Sequence, residues 1–274
     1  MKTSAAAYER LLDALRAMGR AAVAFSGGVD STFLLHAALC ALPPDGVLAV
    51  TLATPYMAAS EMAEGAQAAR AMGARHEVLA VPFPEAIRRN PPDRCYLCKR
   101  ELFSRLLETA AREGIGHVLD GTNADDPGGH RPGLRALGEL GVESPLLAAG
   151  LAKADIRALA RAQNLAVWDK PASACLLSRI PHGVRVEEAE LRRIEQGEAF
   201  LRSMGFPSVR LRSHGVVARI EVPRGQVPAL VAADARNAIS SRLTALGYRH
   251  VAVELAGYRV GSLDEKPAWR DRTG

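Results

Sequence analysis

One stretch near the start of the chain constrains the fold more than any other. The apolar run 21–25 predicts a buried strand, and the pattern from Phe33 predicts a helix, with Ser26, Gly27 and Gly28 between them. Such a turn builds an anion site, because glycines let the backbone approach a phosphate and the free N–H groups of the helix point at it. A Walker loop would have Gly-Lys-Ser/Thr here, and the stretch contains no lysine. The pattern predicts a nucleotide site of another kind, with a purely structural turn as the alternative.

Residues 1–183 alternate short apolar runs with helical patterns. Buried strands are predicted at 21–25, 47–51, 75–81 and 117–119, and helices at 31–41, 60–72 and 99–113. This alternation is typical of an α/β domain with a parallel sheet and helices on both faces. Ligands of such sheets bind beyond the carboxyl ends of the strands. We therefore expect the glycine turn, segment 51–54 and segment 121–126 to converge.

Polar residues of these three loops are the candidate ATP ligands. They are Ser26, Gly27, Gly28, Asp30, Ser31, Thr32, Thr51, Gly121, Thr122, Asp125 and Asp126. The two carboxylates of the last loop suit Mg²⁺. Asp30 is either a further metal ligand or a carboxylate that the helix dipole stabilises. A polar turn without a ligand is the alternative for 121–126.

Beyond residue 183 the predicted pattern of strands and helices differs from that of the first domain. A charged helical pattern covers 187–204, and alternating strands are predicted at 209–212 and 216–222. A last strand is predicted at 250–255. These elements predict a smaller α+β domain over residues 184–274.

The four cysteines fall into three settings. Cys95 and Cys98 form a C-x-x-C, which indicates a redox dithiol, half a metal site or coincidence, since two thiols cannot close a tetrahedral zinc site. Cys175 lies in a loop rich in Pro, Ser and Gly, where nearby positive charges such as Arg179 favour a reactive thiolate. Cys40, on an apolar helix, is predicted to be buried packing.

Composition narrows the class of protein. No apolar run approaches the roughly 20 residues of a membrane span, and four cysteines without a secretion signal favour a cytoplasmic protein. The net charge is +5, and all but five of the 35 basic residues are arginine. Arginine suits phosphate or nucleic acid, but we attribute most of these arginines to a compositional bias, since alanine is also abundant and lysine rare. Aromatic residues make up only 5%, without a base-stacking platform, so nucleic acid is an unfavoured partner.

Five motifs occur in order along the chain. They are SGGVDST at 26–32, RCYLCK at 94–99, GTNADD at 121–126 followed by 131–133, ACLLSRIPHG at 174–183, and GYRVGS at 257–262. Together they resemble the LarE family, the ATP-dependent sulfur transferases of nickel-pincer cofactor biosynthesis. The first motif is shared with other ATP pyrophosphatases that have a pyrophosphate loop (PP-loop), whereas the loop at 174–183 is not. The resemblance implies an adenine nucleotide α-hydrolase-like fold and a cytoplasmic homo-oligomer, a hexamer.

The resemblance also implies an activity. ATP with Mg²⁺ would adenylate a carboxylate of pyridinium-3,5-biscarboxylic acid mononucleotide and release pyrophosphate, and a sulfur nucleophile would then displace AMP. Family members with the loop cysteine alone give up its sulfur, and those with an added C-x-x-C can hold a [4Fe–4S] cluster that has one iron open for a sulfide. Since Cys95, Cys98 and Cys175 are all present, we favour the cluster over the sacrifice of Cys175.

Further site residues follow from the same resemblance. The substrate-binding set is Lys99, Ser178, Arg179, Arg210 and Arg212, and the divalent-metal carboxylates are Glu198 and Glu221. The two strand arginines share one face, since side chains alternate along a strand, and their guanidinium groups suit a phosphate. A third family carboxylate has no clear counterpart, and Asp234 is the nearest candidate. The alternative is that these are solvent-exposed arginines and surface glutamates.

Three other functions compete with this one. A tRNA-thiolating PP-loop enzyme shares the adenylation chemistry, and salt-sensitive tRNA binding would identify it. An ammonia-using synthetase of the kind that makes NAD leaves Cys175 without a role. A nucleotide-binding module without turnover would bind ATP tightly and release no pyrophosphate.

Overall fold

The computed structural model of the chain describes residues 2–128, 132–171, 174–234 and 238–259. They fall into two compact units, one made of residues 1–87 with 93–173 and the other of 88–92 with 174–274. The domain boundary expected at 183/184 stays a prediction, and these packing units divide ten residues earlier, at 173/174.

The first unit alternates strands and helices. Its elements are α1 (Lys2–Met18), β1 (Ala21–Ala24), α2 (Val29–Ala41), β2 (Val47–Ala53), α3 (Ala59–Ala71), β3 (Arg75–Ala80), α4 (Arg94–Arg112), β4 (His117–Leu119), α5 (Pro132–Glu139), α6 (Pro145–Ala148) and α7 (Lys153–Ala162). The four strands form one parallel sheet in the order β3-β2-β1-β4. The predicted parallel α/β architecture is confirmed.

Alternating side chains of β1 divide the core of this unit between the two faces of the sheet. Ala21 and Val23 pack into a cluster with residues of α1, α2 and α7. Ala22 packs with Val118 into a second cluster, to which α4 and α5 contribute. Because both faces of a parallel sheet are covered, its strands read as continuous apolar runs. Helices therefore lie on both faces, as predicted.

The second unit contains a small mixed sheet. Its elements are α8 (Glu188–Ser203), β5 (Arg210–His214), β6 (Val217–Glu221), α9 (Val227–Ala233), α10 (Ala238–Ala245) and β7 (His250–Val253). Strand β6 pairs antiparallel with β5 and parallel with β7. Gly197 of α8 packs closely between α10 and β5, since an added Cβ would sit 3.2 Å from a methyl group of Leu243 and 3.4 Å from those of Leu211. The α+β prediction for this part is confirmed.

One prediction about packing is wrong. Cys40 is exposed, on the last turn of α2, with its Sγ 3.6 Å from Nε2 of His36 one turn earlier. The surrounding run is apolar, but only one side of the helix end is covered. A helical run in which nearly every residue is apolar therefore does not show which position faces solvent.

In the part of the chain that the structure describes, no helix combines the length and the apolar character that a membrane span requires.

Candidate functional site

The glycine turn after β1 depends on the absence of a side chain at Gly27. This residue has φ +70°, in the left-handed region that glycine adopts without strain. A Cβ at this position would lie 2.7 Å from Cα of Gly65 in α3. Ser31 closes the turn, because its Oγ donates to the carbonyl of Gly28 at 3.2 Å. The loop is thus held close against α3 while it leads into α2.

The start of α2 has the features of an anion site. Its N-cap is Gly28, which has no side chain to cap the first turn. Within the described residues, Oγ1 of Thr32 is buried and has no hydrogen-bond partner. Oγ1 of Thr54, just beyond β2, is in the same state. A buried hydroxyl without a partner loses free energy, so both are placed to gain a bond when a polar ligand binds.

The loop after β4 meets the glycine turn, as expected. A Cβ on Gly121 would lie 3.1 Å from the backbone N of Ser31. Nδ2 of Asn123 is 3.5 Å from a carboxylate oxygen of Asp30. Two of the predicted ligands in this loop also shape it: Thr122 donates to Asp120 at 2.5 Å, and Asp126 accepts from the backbone N of Asn123 at 2.9 Å.

Two lysines that the sequence analysis did not assign to ATP lie beside these loops. The ammonium of Lys153 pairs with Asp30, and its backbone N–H donates to Asp125 at 2.8 Å. Lys170 donates to the carbonyl of Gly27 at 3.4 Å. Both lysines lie far from the glycine turn along the sequence, so no motif includes them. The scarcity of lysine in the chain is a sequence signal that could have identified them.

The hydroxyl of Thr51 is used inside the protein. Its Oγ1 donates to the carbonyl of Phe25 at 2.8 Å and therefore accepts from Nε2 of His76 at 2.9 Å. Burial, and then the charge of Arg70, lower the pKa of His76, which keeps the ring neutral. The contacts join the ends of β1 and β2, and an ATP-binding role for Thr51 stays a prediction.

The C-x-x-C lies at the start of α4. Cys95 is exposed, and Cys98, one turn later, has its Sγ 3.1 Å from the hydroxyl of buried Tyr56. The next residue, Lys99, has its ammonium 3.8 Å from Asp120. Over the described part of the chain, no three or more His, Cys, Asp or Glu side chains are grouped to hold a metal ion.

Arg179 fixes the backbone of the Cys175 loop. It is only 2% exposed, and its Nη1 donates to the carbonyls of Ala174 at 2.9 Å and of Cys175 at 3.3 Å. Its Nε and Nη2 form a paired contact with Glu198 at 2.8 and 3.1 Å. Ser178 adds a hydroxyl bond to the Cys175 carbonyl at 2.9 Å. The predicted substrate ligands Ser178 and Arg179 therefore also position the thiol-bearing loop.

Asn90 holds the other end of that loop, and the sequence analysis did not single it out. It is fully buried, and its Nδ2 donates to the carbonyls of Leu177, Ile180 and Pro181 at 2.7–3.2 Å. Its own carbonyl accepts from the backbone N of Gly183 at 3.2 Å. The segment 88–92 thereby belongs to the second unit although its sequence neighbours pack in the first.

The two strand arginines are buried, so the solvent-exposed alternative is wrong for them. Arg212 donates to the carbonyl of Ser178 at 2.6 Å and to Glu221 at 2.7 Å. Arg210 donates to the carbonyl of Val209 at 2.9 Å, with its guanidinium 5.2 Å from the ring centre of Tyr258. Burial, and then the charge of the nearby Arg179, lower the pKa of Arg210. A second anionic partner would relieve this excess of buried positive charge.

The predicted metal carboxylates Glu198 and Glu221 are also buried, so the alternative that they are surface glutamates is wrong. Besides Arg179, Glu198 accepts from Arg202 at 2.6 Å and from the backbone N of Leu211 at 3.0 Å. Glu221 binds Arg219 at 2.9 Å in addition to Arg212. Both carboxylates are thus compensated by arginines, and their metal role stays a prediction.

Asp234, the nearest candidate for a third metal carboxylate, accepts from the backbone N of Ile239 at 2.9 Å and of Ser240 at 3.0 Å. Burial raises the pKa of Asp234, but these bonds and one from the Ser240 hydroxyl outweigh it, so the pKa is lowered. Parts of two motifs, residue 131 and residues 260–262, lie outside the described residues.

The chain is similar to known proteins over nearly its whole length. Pyridinium-3,5-bisthiocarboxylic acid mononucleotide synthase of Lactiplantibacillus plantarum is 36% identical over 267 residues, which cover 97% of this chain and 96% of the relative. An uncharacterised protein of Synechocystis is 35% identical over 252 residues, or 90% of this chain and 92% of the relative. One of Methanocaldococcus jannaschii is 30% identical over 237 residues, or 86% and 90%. No protein-family model matches the chain.

Proposed function

Because the chain belongs to the LarE family, with the pyridinium-3,5-bisthiocarboxylic acid mononucleotide synthase as a relative, we propose that it makes this same product. The substrate is the corresponding biscarboxylic acid mononucleotide, and the reaction replaces carboxyl oxygen by sulfur at the expense of ATP. The observation that supports this most is the 36% identity over 97% of the chain.

The first step is adenylation of a substrate carboxylate. A carboxylate oxygen attacks the α-phosphorus of ATP, the bond to the β-phosphate oxygen breaks, and pyrophosphate leaves. The glycine turn supports this step, since backbone N–H groups at the start of α2 suit the phosphates, as does the Thr32 hydroxyl, which has no partner among the described residues. The carboxylates Asp30, Asp125 and Asp126 suit a divalent cation on the departing pyrophosphate.

The second step forms the carbon–sulfur bond. The Cys175 thiolate attacks the acyl carbon and AMP leaves with its electron pair, so a thioester results. Elimination then breaks the Cβ–S bond of the cysteine, with loss of the Cα proton to a base. This leaves the thiocarboxylate on the substrate and dehydroalanine at position 175. Arg179 and Ser178 donate hydrogen bonds to the backbone carbonyls at Cys175 and its neighbour, and so fix the backbone position from which the thiol extends.

An iron–sulfur cluster is the second sulfur source, and the one we favour. Thiolates are the ligands that such clusters take, so Cys95, Cys98 and Cys175 fit in donor chemistry. When bound, the cluster would supply a sulfide as donor, so that no protein sulfur is consumed. Tyr56 donates its hydroxyl hydrogen toward Cys98 in this case and stabilises the thiolate form.

The binding of the substrate phosphate is assigned to the second unit. Arg210 and Arg212 lie two residues apart on β5 and are both buried. Paired guanidinium groups suit a phosphate monoester. The homo-oligomer, a hexamer, and the cytoplasmic location belong to the same proposal.

The experiment is pyrophosphate release and product analysis with the substrate, ATP and Mg²⁺ under anaerobic conditions. We expect release that depends on the substrate, together with a thiocarboxylate product. Cys175→Ser should retain the release and lose the product, because a hydroxyl still lets adenylation proceed but cannot transfer sulfur. Cys40→Ser, on the exposed end of α2, is the matched control and should change neither. ATP binding without any release would support the non-catalytic module instead.

A further inference from the structure

Lysine is rare in this chain and is concentrated near the glycine turn. Of the 35 basic residues only five are lysine, and two of these, Lys2 and Lys266, stand near the ends of the sequence. The other three are Lys99, Lys153 and Lys170. Lys153 pairs with Asp30 in the first turn of α2, and Lys170 donates to the carbonyl of Gly27 in the glycine turn. Arginine serves nearly everywhere else, so these two positions use the less common cation.

We propose that Lys153 and Lys170 bind the phosphates of ATP and the departing pyrophosphate. They would replace the lysine that a Walker loop has within its own motif and that SGGVDST lacks. The inference rests on the proposed use of ATP and assigns residues to it that neither the motifs nor the family likeness identified. A lysine ammonium is a compact charge on a flexible stem, which suits a leaving group whose charge grows during the reaction.

Lys153 is anchored at its backbone, and its ammonium is partly exposed. Its N–H donates to Asp125 at 2.8 Å, so the first residue of α7 is tied to the loop after β4. Its ammonium reaches Asp30, and the two side chains are 30% and 23% exposed. A phosphate would offer the ammonium a charge-assisted bond of the same kind as the one to Asp30. Lys153 can therefore exchange Asp30 for a phosphate without leaving its charge unpaired.

Lys170 is likewise held at its backbone and has its ammonium beside the glycine turn. Arg157 donates to its backbone carbonyl at 2.7 Å, which fixes the main chain. Its ammonium lies 3.4 Å from the carbonyl of Gly27 and 2.8 Å from Glu64, whose side chain is 61% exposed. Glu64 is thus a weak resting partner, whereas a phosphate would form a charge-assisted bond.

Thr32 gives an independent indication of an anion site at the same turn. Oγ1 of Thr32 is buried and has no hydrogen-bond partner within the described residues. Thr32 lies in the first turn of α2, as does Asp30. Purely structural lysines would explain the ion pairs but not this hydroxyl. A phosphate explains both.

The test is binding measured by calorimetry with three probes: Mg–ATP, inorganic pyrophosphate and adenosine. For Lys153→Met and Lys170→Met we expect ATP and pyrophosphate to bind about tenfold or more weakly, the loss of one charge-assisted contact, with adenosine unchanged. Arg16→Met removes a charge from an exposed pair with Asp13 on α1 and serves as the matched control, with no change expected. Lys153→Arg should recover part of the pyrophosphate affinity.

The outcomes separate the two proposals. Wild-type protein that does not bind Mg–ATP overturns the proposed function and this inference with it. Wild-type binding with unchanged pyrophosphate affinity in both methionine variants overturns the inference alone. Equal weakening of adenosine means that the lysines only hold the loops together, and this also overturns it. Should Lys153→Met not fold, Lys170→Met and Lys153→Arg decide the matter.

Discussion

Gly27 meets two separate requirements of the phosphate turn, one from its own backbone and one from its neighbour. Its φ of +70° strains any residue with a Cβ, and the Cα of Gly65 leaves no room for one. The motif alone predicts the first requirement, since glycine turns before helices are recognisable in a sequence. It does not predict the second, because Gly65 lies on another helix.

Gly27→Ala should therefore destabilise the protein more than the backbone strain accounts for. We expect about 1–2 kcal/mol from the positive φ and about 1–3 kcal/mol more from the clash with α3. The measurement is the free energy of unfolding in denaturant. Gly73→Ala is the matched control, because Gly73 has φ +68° and open space where the Cβ would lie. Equal losses in the two variants would contradict this account.

At the scale of elements, the strands and helices follow from hydrophobic periodicity, while their long-range contacts do not. The four strands of the parallel sheet were predicted to within two residues of their ends. Helix α4 begins at Arg94, five residues before the predicted start at Lys99, because the chain can turn helical as soon as it leaves the proline pair 91–92 and the N-cap Asp93. The Cys175 loop has no periodicity at all, and its shape comes from Asn90 and Arg179, which lie far apart in the sequence.

Asn90→Ala tests how that loop is held. The change removes three hydrogen bonds to the loop carbonyls, two of them buried, and we expect it to cost about 2–4 kcal/mol. Asn164→Ala is the matched control, since Asn164 also has a positive φ, 57°, but is exposed. It should cost less, about 1 kcal/mol, because it removes only the preference of asparagine over alanine for a positive φ. Denaturant unfolding measures both, and similar losses would mean that strain and not the amide contacts matter at position 90.

For the whole molecule, stability is expected to depend on pH through one histidine in each unit. Burial, and then a nearby arginine charge, lower the pKa of His76 and of His214 from the ordinary value of 6.5. The folded state then binds fewer protons than the unfolded state around and below that pH. By linkage, this stability is present above pH 6.5 and is lost as the pH falls below it.

The corresponding experiment follows the unfolding midpoint from neutral to mildly acidic pH. We expect the wild-type midpoint to fall as the pH drops through the ordinary histidine range, and His76→Gln to fall less steeply. The glutamine amide can still donate to Thr51, so the bond from position 76 is kept while the titration is removed. An equally steep fall in the variant would show that His76 does not titrate in this range.

The central claim is that this protein transfers sulfur to a pyridinium dicarboxylate nucleotide. It is tested most directly by mass spectrometry of both nucleotide and intact protein after anaerobic incubation of the full chain with substrate, ATP and Mg²⁺. We predict a nucleotide in which carboxyl oxygen has been exchanged for sulfur, with the protein mass unchanged. Loss of the elements of H₂S at Cys175 would keep the claim and make this cysteine the consumed donor. An unmodified nucleotide, with tRNA accepting sulfur in its place, would contradict the claim.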